Sequence, residues 1–282
     1  MEEARTLVLI KFKDNPKALE KIPQIKEHVF DHVNKEHNKQ HYLWRGLVAA
    51  SVIFAVLVGS LYYFGIYASQ QVINTTYAEV KNITLPDGSK VTLSANSQIT
   101  FKKKWDSDDP REIKLSGEAF FDIKHLSNHS KFTVFANESA VEVLGTEFNF
   151  SARRDKVKVV LQSGSIKFYQ SVKSEESLMM TPGDMVVFNN KDNSLDVKKV
   201  DINTHSGWKN NLLSFNNMPI EEVLIAIEDF YGLKVINNSS KLENENFTGI
   251  SPMDSLDQII IALSKTFDVK IEIQDKTIII NN

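Results

Sequence analysis

Cysteine is absent from this chain of 282 residues. No disulfide can staple it, so any part that folds outside the cytoplasm must rely on its hydrophobic core, which 200-odd residues can build. Thiolate metal sites are excluded by the same absence. Strong net charge is missing too: the balance is −3, which gives no reason to expect direct contact with nucleic acid. The most informative absence is local. Leu47–Ile66, LVAASVIFAVLVGSLYYFGI, holds no Asp, Glu, Lys or Arg over 20 positions.

As a helix, that run is long enough to cross a hydrocarbon layer of ~30 Å. A buried core helix would be shorter and keep a polar stripe. A signal peptide would begin within a few residues of the start, whereas some 45 polar residues come first. Lys35, Lys39 and Arg45 precede the run, and the first charges after it are Glu79 and Lys81. The basic flank is expected inside, with Trp44 at one interface and Tyr62, Tyr63 and Tyr67 at the other. A single span of this kind excludes channels and most transporters. The expected division is 1–45 cytoplasmic and helical, 46–67 transmembrane, 68–205 an all-β domain, and 206–282 an α/β module.

Before the span, Asn15-Pro16 and Pro23 are helix starts. Ile22, Ile25, Val29 and Val33 recur at helical spacing and form one apolar face. Residues 1–45 are too few to bury that face in a core of their own, so it is the candidate partner-binding surface, with the membrane surface as the competing fate. His28, His32, His37 and His41 fall four apart in pairs, but without cysteine or a convergent carboxylate they read as a solvated helix face.

After the span the period changes to two. Val91 and Leu93, Ile99 and Phe101, Ile113 and Leu115, Phe148 and Phe150, and Val157, Val159 and Leu161 are examples of a pattern running through residues 77–200. Pro86-Asp87-Gly88 is a turn, and Gly117, Gly145, Gly164 and Gly183 punctuate later strands. Many short antiparallel strands make a sandwich, a jelly roll or a short solenoid, and the pattern leaves these three open.

Residues 212–282 contain a repeat. Ile220, Val223, Leu224 and Ile227 match Leu256, Ile259, Ile260 and Leu263 at an offset of 36. Each copy reads strand, amphipathic helix, strand. The expected helices are Pro219–Tyr231, stopped by Gly232, and Asp254–Phe267, capped by Asp254. A terminal hairpin turns at Asp275-Lys276. Two such βαβ units make a small α/β module.

No catalytic constellation is visible. Gly164-Ser165 has no nucleophile-elbow context, and His125, His129 and His205 fall in loops without paired carboxylates. No phosphate-binding glycine loop occurs. No cofactor, metal or enzymatic activity is expected.

Five segments carry a family resemblance: ITLPDGSKVTLSANSQITF (Ile83–Phe101), LSGEAFFDI (Leu115–Ile123), FTVFANESAVEVLGTEFNF (Phe132–Phe150), VVLQSGSIKF (Val159–Phe168) and TPGDMVVF (Thr181–Phe188). In order and spacing they resemble a FecR-type anti-sigma regulator, and 212–282 resembles that family's C-terminal module, which is similar to the short N-terminal domains of secretins and TonB-dependent receptors. The resemblance implies a bacterial inner-membrane relay. Its periplasmic part would meet the signalling domain of an outer-membrane TonB-dependent transducer, and its cytoplasmic part would hold an extracytoplasmic-function sigma factor. Within the motifs, Gly117 and Gly145 are expected in turns or bulges, and Phe120, Phe121, Leu144 and Phe148 in the core. Glu118 reads equally as a partner residue or a surface strand position. Asn211 stands where the family has Gly, and Arg153-Arg154 replaces the family's aromatic. The alternatives are an envelope scaffold, and a periplasmic glycan- or siderophore-binding sensor whose β domain would offer an aromatic-lined hollow, with Trp105 the one Trp available there.

Overall fold

The computed structural model describes residues 44–63, 65, 69–106, 109–170, 177–200, 202 and 207–282. Helix α1, Trp44–Tyr63, has a mean hydropathy of 2.0 and is long and apolar enough to cross a membrane. Its described side chains are exposed, as expected of a helix whose solvent would be lipid.

Ser69–Asn282 is a compact unit by itself. It opens with 13 strands, β1 (Gln70–Asn74) to β13 (Ser194–Lys199). Strand β5, Arg111–Asp122, organises them because it belongs to two layers. Its first half pairs with β4 (Gln98–Lys102) and, in parallel, with β6 (Phe132–Ala136). Its second half pairs with β3 (Lys90–Leu93) and β8 (Glu147–Arg153). With β2 (Lys81–Thr84), β7 (Ser139–Val143), β9 (Lys156–Ser163), β10 (Ile166–Tyr169), β11 (Leu178–Met180) and β12 (Asp184–Asn189), one layer runs β1-β4-β5-β6-β7-β10-β11 and the other β2-β3-β5-β8-β9-β12-β13. Ile113, Leu115, Ala119 and Phe121 of β5 point between the layers into a single core. There Phe121 stacks on Phe148 at 4.9 Å and meets Phe132 of the other layer edge-on at 6.4 Å.

The change of layer falls at Gly117, whose φ is +94°. A Cβ there would collide with the backbone and side chain of Ser97, which lies between β3 and β4 where the partner strand also changes. Ser97 is held in turn: its N–H donates to Thr75 Oγ1 at 3.0 Å, its Oγ donates to Ala95 O at 2.8 Å, and that Oγ accepts from Glu118 N–H at 3.0 Å. Gly117 thus sits in mid-strand, not at a strand end as a turn residue would.

One expectation about this core is corrected. Leu144 is 40% exposed, because Gly145 turns the chain there and takes the side chain off the strand face. Phe120 is buried as expected, and because it lies one residue from Phe121 the pleat turns it to the outer face, into a second apolar cluster.

The Pro86-Asp87-Gly88 turn does more than reverse the chain. Asp87 caps it by accepting from Ser89 N–H at 2.9 Å, and it pairs with Arg111 at 2.8 Å, with both side chains at most 5% exposed. Arg111 also donates to the carbonyls of Lys124 and Ser130 and lies over the Phe132 ring.

The rest of the unit runs β14 (Leu212–Pro219), α2 (Ile220–Tyr231), β15 (Lys234–Asn237), β16 (Asn246–Pro252), α3 (Leu256–Phe267), β17 (Lys270–Gln274) and β18 (Thr277–Asn281). Strand β14 pairs antiparallel with β16, and β15-β18-β17 form a second small sheet. Ile220, Val223 and Ile227 of α2 and Ile259 and Leu263 of α3 bury against Phe215, Phe247, Ile278 and Ile280. Gly232 ends α2 at φ +72°, and Asn211 takes the left-handed conformation at φ +61°. Asp254 does not cap α3. The helix starts two residues later behind Ser255, and Asp254 accepts a hydrogen bond from the Ser255 hydroxyl.

Candidate partner-binding site

The sequence-derived candidates Ile22, Ile25, Val29 and Val33 lie outside the described residues, as do His28, His32, His37, His41 and His205. Among the described residues no cluster of His, Asp or Glu is arranged to hold a metal ion. His125 and His129 meet edge to face at 5.1 Å in a loop. Trp105 packs edge-on against Phe101 and Phe132, partly buried against the β core.

A more developed surface arises where the C-terminal elements meet the outer face of β5-β8-β9-β12. Phe120, Ala95, Trp208, Phe230 and Met253 form a separate apolar cluster there. The C-terminal turn of α2 supplies most of the attachment. Ala78 N–H donates to Phe230 O at 2.8 Å, and the Tyr77 ring lies so close to Gly232 that a Cβ at that position would overlap it. Arg154 bridges to Glu228 at 2.8 Å and Asp229 at 3.0 Å. These two acids stand in the last turn of α2, where the helix dipole disfavours negative charge and no basic residue of the helix offsets it. Arg154 provides the offset from another element, and the two carboxylates hold its guanidinium still more firmly protonated. Its neighbour Arg153 donates to Ala95 O at 2.6 Å and pairs with Glu118 at 3.6 Å. Glu118 also accepts from Asn149 Nδ2 at 2.8 Å, so it is a bracing residue of the strand surface. Lys209 lies 3.9 Å from the centre of the Phe120 ring.

Beside this junction lies a cleft of about 530 Å³. Its floor is the outer face of β8, β9 (Lys156–Ser163), β12 (Asp184–Asn189) and β13, with Met185 and Val187 as the apolar centre. One wall is α2, through Ile225, Ala226 and Phe230. The other is β14, which contributes Leu212, Leu213, Ser214 and Phe215 in succession. Sequence reasoning missed this cleft because its floor, from β8 to β13, lies well before its walls, β14 and α2, in the chain. A signal was present nonetheless: Arg153-Arg154, the departure from the family pattern, stands at its edge.

A family model described as "FecR protein" matches residues 71–167, and one described as "FecR, C-terminal" matches residues 212–280, together more than half of the chain. Two crystal structures of a candidate anti-sigma factor from Parabacteroides distasonis share the fold with a TM-score of 0.65 and 23% identity. They cover 75% and 76% of this chain and 99% of their own. No curated protein matches the sequence. The two matched segments follow one another in the chain, each on its own hydrophobic core and joined by the Phe120–Phe230 junction, and the chain belongs to the FecR family.

Proposed function

We propose that this protein is an anti-sigma regulator of the bacterial inner membrane, crossing once through α1 with its N-terminus in the cytoplasm. The observation that carries the reading is the order of parts: a single apolar helix, then a FecR domain, then a FecR C-terminal domain. A relay needs one element through the membrane and a binding part on either side of it. The basic flank Lys35, Lys39, Arg45 supports the orientation. The similar protein from Parabacteroides distasonis, itself a candidate anti-sigma factor, supports the regulatory role. In this reading 1–45 is the cytoplasmic segment, 68–205 the periplasmic β domain and 206–282 the module that meets a partner. That partner is the signalling domain of an outer-membrane TonB-dependent transducer, bound mainly by strand addition and small apolar contacts. On the inner side, Ile22, Ile25, Val29 and Val33 engage an extracytoplasmic-function sigma factor, in preference to membrane lipid. The protein acts through these contacts and not as an enzyme.

The test is Val29→Asp with Val33→Asp in the full chain. Each side chain contributes roughly 1.5–3 kcal/mol when fully buried in an interface. Two aspartates in their place should free the sigma factor and raise transcription of its targets, while α1 keeps the protein in the membrane. Unchanged transcription, together with binding of a 1–45 peptide to lipid and to no sigma factor, would remove the inner half of the relay.

A further inference from the structure

Four consecutive residues of β14 line the cleft. Successive side chains of a strand point to opposite faces, so a strand that presents both parities to one space is turning its edge to it. That edge is open among the described residues: β14 pairs with β16 on one side and with no described strand on the other. The ladder fixes which backbone groups it offers. Met253 N–H donates to Asn211 O at 3.0 Å, and Pro252, opposite Leu212, has no N–H to offer, so Leu212 and Pro252 are not a hydrogen-bonded pair. In the register Leu212 with Pro252, Leu213 with Ser251 and Ser214 with Ile250, pairs alternate. Leu212 and Ser214 therefore turn their N–H and C=O away from β16, into the cleft.

We infer that this slot is a docking site for one extended peptide segment of a partner protein, added to the open edge of β14. Alternating donors and acceptors at strand spacing are matched by another backbone, and neither a lipid tail nor a compact small molecule meets both. The bulge between Phe215 and Met218 ends the regular edge, so the segment pairs over about four residues, ~14 Å of strand. Side chains on one of its faces would lie on Met185 and Val187. In the sheet register Val187 stands between Lys158 and Asp196, and Met185 stands beside Lys198. Neither lysine pairs with a carboxylate among the described residues, and Glu222 lines the cleft from α2. The fitting segment thus carries apolar residues and an acidic residue on the one face turned to this floor, with polar residues between them on the other. This placement rests on the relay reading above, to which it adds the address of the outer partner.

The test uses the full chain in detergent and a fluorescent synthetic peptide, Thr-Val-Thr-Glu-Thr-Val-Thr, whose valines and glutamate share one face, with a control of the same composition in which those three residues are adjacent. The alternating peptide should bind saturably and at least fivefold tighter than the control. Ser214→Pro, which deletes an edge donor at a position where an edge strand tolerates Pro, should weaken it at least fivefold. Lys158→Glu with Lys198→Glu should do the same without touching the edge, and near-UV circular dichroism should stay unchanged in both variants. No binding, equal binding of the control, or binding indifferent to both variants would overturn the inference. So would a dimer of this chain that Ser214→Pro dissolves, since the slot would then serve a second copy. A transducer signalling domain measured alongside separates the two readings. If it binds and Ser214→Pro leaves it unaffected, the slot is wrong and the relay stands. If the peptide binds as expected and no signalling domain does, the slot stands and the outer half of the relay fails.

Discussion

Replacing Gly117 by Ala tests whether the change of layer in β5 is the point on which the β domain depends. Two costs coincide there. An L-residue held at positive φ costs about 1–2 kcal/mol. The added methyl would also strike Ser97 at its Cβ, 2.7 Å away, and its Cα, 2.8 Å away, so backbone must move and not only a side-chain tip. Ser97 is tied by hydrogen bonds to Thr75, Ala95, Glu118 and Arg153, and forced displacement in a packed site costs about 1–3 kcal/mol more. The sum is about 2–5 kcal/mol, or roughly 5–15 °C in Tm for a unit of this size. Gly88→Ala is the internal control. Gly88 has φ +83° but open space around its would-be Cβ, so only the backbone cost of about 1–2 kcal/mol applies. Urea titrations of the detergent-solubilised chain, followed by near-UV circular dichroism, would give both values. If Gly117→Ala costs no more than Gly88→Ala, the collision with Ser97 is relieved cheaply and the crossing is not the constraint described above.

Two other perturbations address buried groups. Asp87→Ala leaves the Arg111 guanidinium buried without its counter-charge and should cost about 3–5 kcal/mol in urea titration. Adding Arg111→Met should return part of that loss, whereas a further loss would mean that Arg111 acts mainly through the Lys124 and Ser130 carbonyls. Tyr231, pushed up from 10.0 to about 12 by burial, donates its hydroxyl to Met253 O at 2.8 Å. Its phenol is harder to ionise in the folded chain, so its contribution is complete below about pH 10 and fades between 10 and 12. Tyr231→Phe should therefore be less stable by about 1 kcal/mol at neutral pH. The gap should close as pH rises through that window, and a gap constant to pH 12 would refute the assignment.

The sheet and helix periods were legible because each depends on neighbours two to four residues away. The alternation at Val157, Val159 and Leu161 and the repeat from Ile220 to Leu263 became β9 and the two helices. The shared role of β5 was not legible, since a strand that changes layers keeps the same alternation throughout. The junction left a trace that a simple reading of alternation passes over. Ala119-Phe120-Phe121, Val159-Val160-Leu161 and Met185-Val186 are buried runs in strands that otherwise alternate. Such runs occur where both faces of a sheet are covered. In the ladder Phe120 pairs with Asn149, Asn149 with Val160 and Val160 with Met185, which is the row beneath the C-terminal elements. Asp254 misled because Asp before a helical run is a good cap in general, while the Pro252–Ser255 turn delays the start of α3.

The contact of Tyr77 with Gly232 bears on how the protein is made. Synthesis at about 5–20 residues per second puts some 8–30 seconds between the appearance of Tyr77 and that of its partner. During that interval the β strands through β13 can already pair, yet the outward Phe120 has neither Trp208 nor Phe230 over it. A nascent chain halted in this window would carry an apolar row along an otherwise finished sheet. Chaperone demand should therefore peak just before α2 emerges, and truncation upstream of Trp208 should yield a species that folds its β core and then aggregates through the uncovered face.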